Sequence, residues 1–166
     1  MRWQASVITV SDSRARGETQ GDPSGDLIVL RLAELPADIA DRRLVPDDIE
    51  AIREALRAVV ARADLVVLTG GTGLGPRDVT PQAISPLLEY EIPGMTEAMR
   101  RDGLRSTPHA MLSRQLAGVM QGRLVIALPG SPGAVDQGLK SAWRVLPHAL
   151  QLLAGDTAHG KRHPPT

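Results

Sequence analysis

The feature that most constrains this fold is a short apolar run that passes directly into glycines. Residues 64–69 (DLVVLT) have the length of one strand, and such a continuous apolar run is typical of a parallel strand covered by helices on both faces. Residues 70–78 (GGTGLGPRD) follow without a spacer. This pattern predicts a buried strand that ends in a glycine-rich loop, where α/β folds bind ligands.

Two other segments repeat this layout. Residues 3–10 (WQASVITV) are rich in β-branched residues and end at a polar cluster, whereas residues 123–128 (RLVIAL) end at a second glycine-rich loop. A shorter extended segment is predicted at residues 39–45. Helical patterns lie between and after these segments, at residues 25–35 with Ser24 as N-cap, 49–60, 81–89, 95–104 and 134–153. In the last of these, Pro147 predicts a kink or break near residues 142–146.

This alternation predicts one α/β domain over residues 1–154. We expect a three-layer α/β/α sandwich with a mostly parallel sheet, because helices must cover both faces of such a sheet. Residues 155–166 carry no apolar stripe and are predicted to be a disordered tail.

Composition argues against nucleic-acid and membrane partners. Lys plus Arg (19) equals Asp plus Glu (19), so no net positive charge attracts a phosphate backbone. Trp3, Tyr90 and Trp143 are the only aromatic residues, too few for a base-stacking surface. No apolar run has the length of a membrane span, the N-terminus lacks a signal-peptide pattern and cysteine is absent, so we predict a cytoplasmic protein.

The first glycine-rich loop is a candidate phosphate loop. Gly70, Gly71, Gly73 and Gly75 leave the backbone free to adopt positive φ angles and to present N–H groups to anionic oxygens. The loop is not a Walker motif, because Pro76-Arg77 stands where Lys and Ser or Thr are required. The alternative is an ordinary strand-to-helix turn that happens to be rich in glycine.

Asp47 and Asp78 are the candidate catalytic and metal-binding residues. Magnesium prefers hard oxygen ligands and is commonly shared between one or two carboxylates and substrate phosphates. Asp78 closes the glycine-rich loop, which suits this role. For Asp47 an equally plain alternative is that its charge only complements the N-terminus of the helix that follows.

The second glycine-rich loop, at residues 129–133 (PGSPG), has the same layout. Gly130, Ser131 and Gly133 precede or open a predicted helix, whose N-terminus suits an anion, although a tight turn explains the same residues. Pro132 follows Ser131 directly, so the loop is not the nucleophile elbow of a serine hydrolase. Hydroxyls, a carboxylate and guanidinium groups suited to phosphate or heterocycle recognition are supplied by Ser11, Asp12, Ser113 and Arg114.

Taken together and in order, these motifs resemble the molybdenum-cofactor biosynthesis family that includes bacterial Mog and MoaB proteins and the G domains of gephyrin. The resemblance covers about residues 6–153. Its carriers are Thr9-Val10-Ser11-Asp12, Asp22-Pro23-Ser24-Gly25, Val45-Pro46-Asp47, residues 69–81, Pro93-Gly94-Met95, Met111-Leu112-Ser113-Arg114, residues 128–134 and Leu146-Pro147-His148-Ala149.

The resemblance implies an enzyme that transfers AMP from Mg-ATP to molybdopterin and releases pyrophosphate. It also implies a homotrimer and a partner protein that later inserts molybdate. Catalysis and Mg²⁺ binding fall on Asp47 and Asp78. The resemblance assigns the pterin contacts to Ser11, Asp12, Ser113 and Arg114. It assigns binding of the nucleotide phosphates to Gly70, Gly71, Thr72, Gly73 and Gly75. The pocket is further lined, by the same resemblance, by Gly130, Ser131 and Gly133.

Two positions depart from the family pattern and leave the subgroup open. Many relatives have proline where Gln115 stands, and several have a longer basic segment where Pro132-Gly133 stands. Two alternatives to the transferase are a molybdopterin-binding carrier without catalysis and a related nucleotide-cofactor pyrophosphatase. A further hypothesis is that four methionines form an interface between subunits, namely Met95, Met99, Met111 and Met120. The alternative is that they belong to the buried core.

Overall fold

A computed structural model of the chain describes residues 2–156. Its six strands form one sheet in the order β2-β1-β3-β6-β5-β4. Strands β2, β1, β3 and β6 are mutually parallel. At one edge β5 runs antiparallel to β6, and β4 runs antiparallel to β5. The strands are β1 (Trp3–Val10), β2 (Ala37–Val45), β3 (Leu65–Thr69), β4 (Tyr90–Glu91), β5 (Leu116–Met120) and β6 (Arg123–Leu128).

Helices cover both faces of the sheet, which confirms the predicted three-layer α/β/α sandwich. The helices are α1 (Asp12–Ala15), α2 (Pro23–Leu32), α3 (Ile49–Val60), α4 (Thr80–Ile84), α5 (Pro93–Gly103), α6 (Pro132–Ala142) and α7 (Leu146–Leu153). Residues from α2, α5, α6 and α7 form the core on one face, and residues from α3 and α4 form the core on the other.

The central strands are buried on both faces because their side chains alternate between the two cores. In β1, Val7 packs into the core with α2, and the next residue, Ile8, packs into the core with α3; both are fully buried. All five residues of β3 are buried as well. The continuous apolar run in the sequence therefore has the cause we predicted.

Several helix boundaries differ from the sequence prediction. Helix α2 begins at Pro23 with Asp22 as its N-cap, not Ser24, because the Asp22 carboxylate accepts a hydrogen bond from the N–H of Gly25. The predicted helix at residues 81–89 ends earlier, with α4 passing into a 3₁₀ turn at Ser85–Leu87. The final helical segment, by contrast, is broken between Ala142 and Leu146 as predicted, because Pro147 fits the first turn of α7.

Strands β4 and β5 were missed in the sequence. β5 is short, contains Gly118, and joins β6 through a two-residue turn at Gln121 and Gly122, both with positive φ. Such an antiparallel hairpin lies outside the strand–helix–strand alternation on which the prediction rested. β4 has only two residues and pairs at the sheet edge, too short for any periodic pattern.

The methionines do not form one surface. Met95 and Met99 are buried in one core and Met120 in the other, which confirms the core alternative for these three. Met111 is 63% exposed. Among residues 2–156, no helix has the length and apolar character needed to cross a membrane. The predicted disordered tail lies, from residue 157 onward, outside the described part of the chain.

Candidate functional site

The carboxyl ends of four parallel strands bring the predicted site residues to one edge of the sheet. Ser11 and Asp12 follow β1, Asp47 follows β2 by one residue, and the two glycine-rich loops follow β3 and β6. The loops touch each other, since a Cβ added at Gly130 would lie 3.4 Å from the Cα of Gly70. The sheet topology thus assembles residues that are more than a hundred positions apart.

The first glycine-rich loop owes its shape to two of its glycines. Gly70 and Gly71 have φ angles of +100° and +66°, and a side chain at either position would clash with the carbonyl of Val10 or the hydroxyl of Thr80. Gly73 and Gly75 do not have the positive φ angles that we expected for the whole loop. They are needed instead because a Cβ would lie within 3.0 Å of the Asp78 carboxylate, at 2.9 and 2.8 Å.

The loop closes on itself around Asp78. The N–H of Gly75 donates to Asp78 Oδ2 at 2.8 Å, and the Thr80 hydroxyl donates to the carbonyl of Gly70 at 2.8 Å. By contrast, the N–H groups of Gly71, Thr72 and Gly73 make no hydrogen bond with the described residues. Of these residues, Gly71 lines the pocket described below, so its N–H is the one placed to meet an anionic ligand there.

Arg114 holds the same loop from outside. Its Nε donates to the carbonyl of Gly73 at 2.8 Å and its Nη2 to the carbonyl of Asp78 at 2.7 Å. Its own N–H donates to the carbonyl of Thr72 at 2.8 Å. The guanidinium therefore supports the loop backbone, and its contact with a pterin stays a prediction.

Asp12 and Asp47 exchange hydrogen bonds across 35 residues of sequence. Asp47 Oδ2 accepts from the N–H of Asp12, and Asp12 Oδ1 accepts from the N–H of Asp47, both at 2.9 Å. Arg77 adds a forked pair of hydrogen bonds to the Asp12 carboxylate, at 2.8 and 3.1 Å. The carboxylate of Asp47 is therefore held in place by the backbone N–H of Asp12.

Asp47 is not the N-cap of the helix that follows it. Asp48 is the N-cap of α3, and its Oδ1 accepts from the N–H of Ala51 at 2.9 Å. The side chain of Asp47 lines the pocket beside Asp78 instead. The two adjacent aspartates thus have different roles: Asp48 caps α3, and Asp47 lines the pocket at the strand ends.

The environment changes the pKa values of these acids in opposite directions. Burial raises the pKa of Asp47; the N–H of Asp12 opposes this effect, and the negative charges of Asp12 and Asp78 add to it. The Arg77 guanidinium, followed by the N–H of Asp47, lowers the pKa of Asp12. Of Asp12 and Asp47, Asp47 is thus the acid whose negative charge the protein disfavours.

We call the small cavity around these acids the acidic pocket. It has a volume of about 230 Å³ and carries three carboxylates, from Asp22, Asp47 and Asp78, against one guanidinium, from Arg14. Its described lining residues are Thr9, Val10, Ser11, Arg14, Asp22, Ser24, Asp47, Thr69, Gly70, Gly71, Asp78 and Gly130.

A larger cavity lies on the other side of the second glycine-rich loop, and we call it the neutral cavity. It has a volume of about 500 Å³, and no Asp, Glu, Lys or Arg lines it. Pro129 and Ser131 line this cavity, whereas Gly130 between them lines the acidic pocket. Its described lining residues are Met99, Gly103, Ser106, Thr107, His109, Ala110, Ser113, Gln115, Pro129, Ser131, Gly133, Ala134, Gln137 and Gly138.

The structure therefore divides the predicted site residues into three groups. The first, Ser11, Asp47, Gly70, Gly71, Asp78 and Gly130, lines the acidic pocket, and the second, Ser113, Ser131 and Gly133, lines the neutral cavity. The third group lines neither space and supports the walls: Asp12, Thr72, Gly73, Gly75 and Arg114.

Sequence reasoning missed two groups that shape the acidic pocket. Asp22 accepts hydrogen bonds from Thr9, Arg42 and the N–H of Gly25. Burial alone would raise the pKa of Asp22, but these hydrogen bonds outweigh it and lower the pKa. The available signal was its place in the Asp22-Pro23-Ser24-Gly25 motif. For the second group, Arg77, no local signal linked it to Asp12, 65 residues away.

Comparisons with known proteins agree with this geometry. The family described as a probable molybdopterin binding domain matches residues 6–148. A molybdenum cofactor biosynthesis bifunctional protein of Synechococcus elongatus is 45% identical over 152 residues, which are 91% of this chain and 47% of that protein. A molybdopterin adenylyltransferase of Pyrococcus furiosus is 39% identical over 155 residues, 87% of this chain and 90% of that protein.

The fold is shared as well. The crystal structure of the molybdopterin biosynthesis enzyme MoaB from Thermus thermophilus matches with a TM-score of 0.86 at 45% identity, covering 92% of this chain and 97% of that chain. This chain spans about half the length of the bifunctional relative and nearly all of the other two. The family match, the identities and the shared fold confirm the resemblance drawn from the motifs: the chain belongs to the family of molybdopterin-binding domains.

Proposed function

We propose that this protein is a molybdopterin adenylyltransferase. In this reaction an oxygen of the terminal phosphate of molybdopterin bonds to the α-phosphorus of ATP. The bond from that phosphorus to the oxygen bridging to the β-phosphate breaks, and pyrophosphate leaves. The observation that carries the proposal is the meeting of Asp47 and Asp78 in one pocket, beside a glycine-rich loop with free N–H donors.

The charge of the acidic pocket supports a role for Mg²⁺. Asp22 is paired with Arg42, but Asp47 and Asp78 still exceed the single charge of Arg14, which favours binding of a phosphate together with a cation. The donor set fits Mg²⁺, which takes oxygen ligands and shares itself between one or two carboxylates and substrate phosphates. No cluster of three or more acidic, His or Cys side chains suited to a metal occurs in residues 2–156, so Asp47 and Asp78 would hold the ion together with the substrate.

When bound, Mg²⁺ would neutralise negative charge on the transferring phosphoryl group. The chain's own groups would position the reactants. The free N–H groups of the first glycine-rich loop would bind nucleotide phosphates, and Thr80 and Arg114 would keep that loop in shape. Phosphoryl transfer needs little beyond such positioning and charge neutralisation, which is what this site offers.

We assign the pterin contacts to Ser11, Asp12, Ser113 and Arg114, with the second glycine-rich loop beside them. Ser113 lies on the wall of the neutral cavity, and Ser11 lies on the wall of the acidic pocket. The two spaces meet at the second glycine-rich loop, where Pro129 and Ser131 line the neutral cavity and Gly130 between them lines the acidic pocket. A ligand with a charged phosphate end and an uncharged ring end would therefore fit across this loop.

The direct test is pyrophosphate release. Purified protein is incubated with molybdopterin, ATP and magnesium, and both pyrophosphate and the adenylylated pterin are measured. We expect one pyrophosphate for each adenylylated pterin and no release when ATP, pterin or magnesium is left out. Pterin binding without any pyrophosphate release would instead favour the carrier function.

We further propose that the protein acts in the cytoplasm as a homotrimer and delivers its product to a partner that inserts molybdate. The support is family membership, since relatives with the same motifs are expected to share their assembly. Light scattering at micromolar concentration is expected to give three times the chain mass of 17.7 kDa. A monomer mass under these conditions would contradict the trimer.

A further inference from the structure

On the wall of the neutral cavity, Gln115 carries a side-chain amide that the described residues leave unpaired. Gln115 lines the cavity and is only 6% exposed. Its side-chain amide makes no hydrogen bond with any residue between 2 and 156. The donor and acceptor of this amide therefore stay available to a ligand that enters the cavity.

The backbone around Gln115 is held firmly. Its N–H donates to Ser113 Oγ at 3.3 Å, and its carbonyl accepts from Arg100 Nη1 at 3.1 Å. Gln115 directly precedes β5, in which Ala117 packs into the same core as Met99. Side chains two residues apart on an extended chain lie on the same face, so the Gln115 side chain points toward the side on which Met99 lines the cavity.

Three other polar side chains on the cavity wall each have a partner among the described residues. The Gln137 amide donates to the carbonyl of Asp102 at 2.6 Å. Ser131 Oγ accepts from the N–H of Ala134, and Thr107 Oγ accepts from the N–H of His109. Gln115 is thus the buried amide that a ligand would have to satisfy.

We propose that the Gln115 amide recognises the edge of a planar nitrogen heterocycle in the neutral cavity. An amide offers a carbonyl acceptor and an NH₂ donor side by side, which pairs with a ring edge that presents a donor next to an acceptor. The cavity carries no Asp, Glu, Lys or Arg, which suits an uncharged ring, and its volume of about 500 Å³ is within the usual range for small-ligand sites.

The inference rests on the proposed function for the identity of the heterocycle. Two substrates of the proposed reaction carry such an edge, the adenine of ATP and the pterin of molybdopterin. Because the cavity adjoins the acidic pocket at Gly130, either substrate would keep its phosphates beside the first glycine-rich loop while its ring reaches Gln115. Gln115 is then a residue that selects among heterocycles.

Binding measurements on Gln115→Met test this directly. Methionine keeps the length of the side chain and removes both hydrogen-bonding groups. The probes are AMP, a stable pterin such as biopterin, and inorganic pyrophosphate with magnesium, titrated by calorimetry. We expect about fivefold to tenfold weaker binding of AMP or of biopterin, the loss expected for one or two ordinary hydrogen bonds. Binding of pyrophosphate is expected to stay the same.

Two further variants control the result. Gln151→Met makes the same chemical change at an exposed position of α7 and is expected to leave all three affinities within twofold. Gln115→Asn keeps an amide but shortens the side chain by one methylene, so it is expected to weaken binding of the same probe. It provides the test if Gln115→Met does not fold. Weaker binding of AMP alone would assign the cavity to adenine, and weaker binding of biopterin alone would assign it to the pterin.

The inference is overturned if both heterocycles bind folded Gln115 variants within twofold of the parent. It is also overturned if neither heterocycle binds the parent at millimolar concentration. These measurements need no turnover. A protein that releases no pyrophosphate in the transferase assay but loses heterocycle binding in Gln115→Met would contradict the proposed function and support this inference.

Discussion

The two glycine-rich loops look alike in sequence and differ in what requires their glycines. Gly70 and Gly71 have positive φ angles, and a Cβ at Gly73 or Gly75 would crowd Asp78. Gly133 has neither constraint, since a Cβ there would have no atom within 4 Å. The first loop needs glycine because of the protein's own atoms, whereas at Gly133 the open space of the neutral cavity lies beside the backbone.

This difference matches the chemistry of the two spaces that the loops border. The first loop lines the acidic pocket and binds the Asp78 carboxylate through the N–H of Gly75. The second loop begins α6 at the wall of a cavity without acidic, Lys or Arg side chains. The two loops thus border spaces of different composition, one with three carboxylates and one whose described lining has no Asp, Glu, Lys or Arg.

The largest expected effect separates chemistry from binding. Asp78→Asn or Asp47→Asn is expected to lower kcat by about 100-fold or more, because the amide keeps the shape but removes the charge that holds the cation. Pterin affinity, followed by fluorescence titration, is expected to change little. Asp48→Asn is the matched control, since Asp48 only caps α3. Equal loss of pterin affinity and rate in both variants would contradict the catalytic assignment.

The next effect compares the loops by stability. Gly70→Ala is expected to lower the free energy of unfolding by about 2 kcal/mol or more, because its positive φ and the Val10 carbonyl leave no room for Cβ. Gly133→Ala is expected to change it by less than about 0.5 kcal/mol. Urea denaturation followed by circular dichroism gives both values. Similar losses in the two variants would show that the loops do not differ in this way.

A smaller effect is expected from a hydroxyl on the neutral cavity. Ser113→Ala is expected to weaken pterin binding by roughly 0.5–1.5 kcal/mol, the contribution of an ordinary hydrogen bond. The rate at saturating pterin is expected to stay near that of the parent, the opposite of the Asp78→Asn result. A fall in kcat without a change in pterin affinity would place Ser113 with the catalytic groups.

The smallest effect concerns stability against pH. Because burial raises the pKa of Asp47, its contribution to stability is present below the pKa of the unfolded chain and is lost as pH rises through the folded pKa. At pH 7.5 Asp47→Asn is therefore expected to unfold at the same temperature as the parent or roughly a few degrees higher, and this gain is expected to shrink toward pH 4.

Asp22→Asn serves as the comparison with the opposite sign. Hydrogen bonds lower the pKa of Asp22, so its contribution is present at neutral pH and is lost as pH falls through the folded pKa. This variant is expected to melt below the parent at pH 7.5, and the difference is expected to narrow in acid. Thermal unfolding of both variants from about pH 2 to pH 8 measures the signs, because the contribution of Asp22 is lost only below the unfolded pKa of about 3.9. The same sign for both would contradict the opposite pKa shifts.

Much of the sheet was predictable because its strands are buried on both faces. β1 has the predicted bounds, Trp3–Val10, and β3 and β6 also follow the apolar runs. β5 was missed because its hairpin with β6 does not follow the strand–helix alternation. The helix ends were less predictable: Asp22, not Ser24, caps α2, because several residues near a helix start are capable of the same hydrogen bond.

The sequence by itself determined which chemical groups the protein has, where its strands end in loops, and, through its motifs, the family. Only the tertiary structure decided which groups share a pocket. Asp47 and Asp48 are neighbours with the same side chain, yet one lines the acidic pocket and the other caps α3. The physical reason is that the partners of Asp47 come from other strand ends: Asp12 is 35 residues away in sequence and becomes adjacent only when parallel strands align their carboxyl ends.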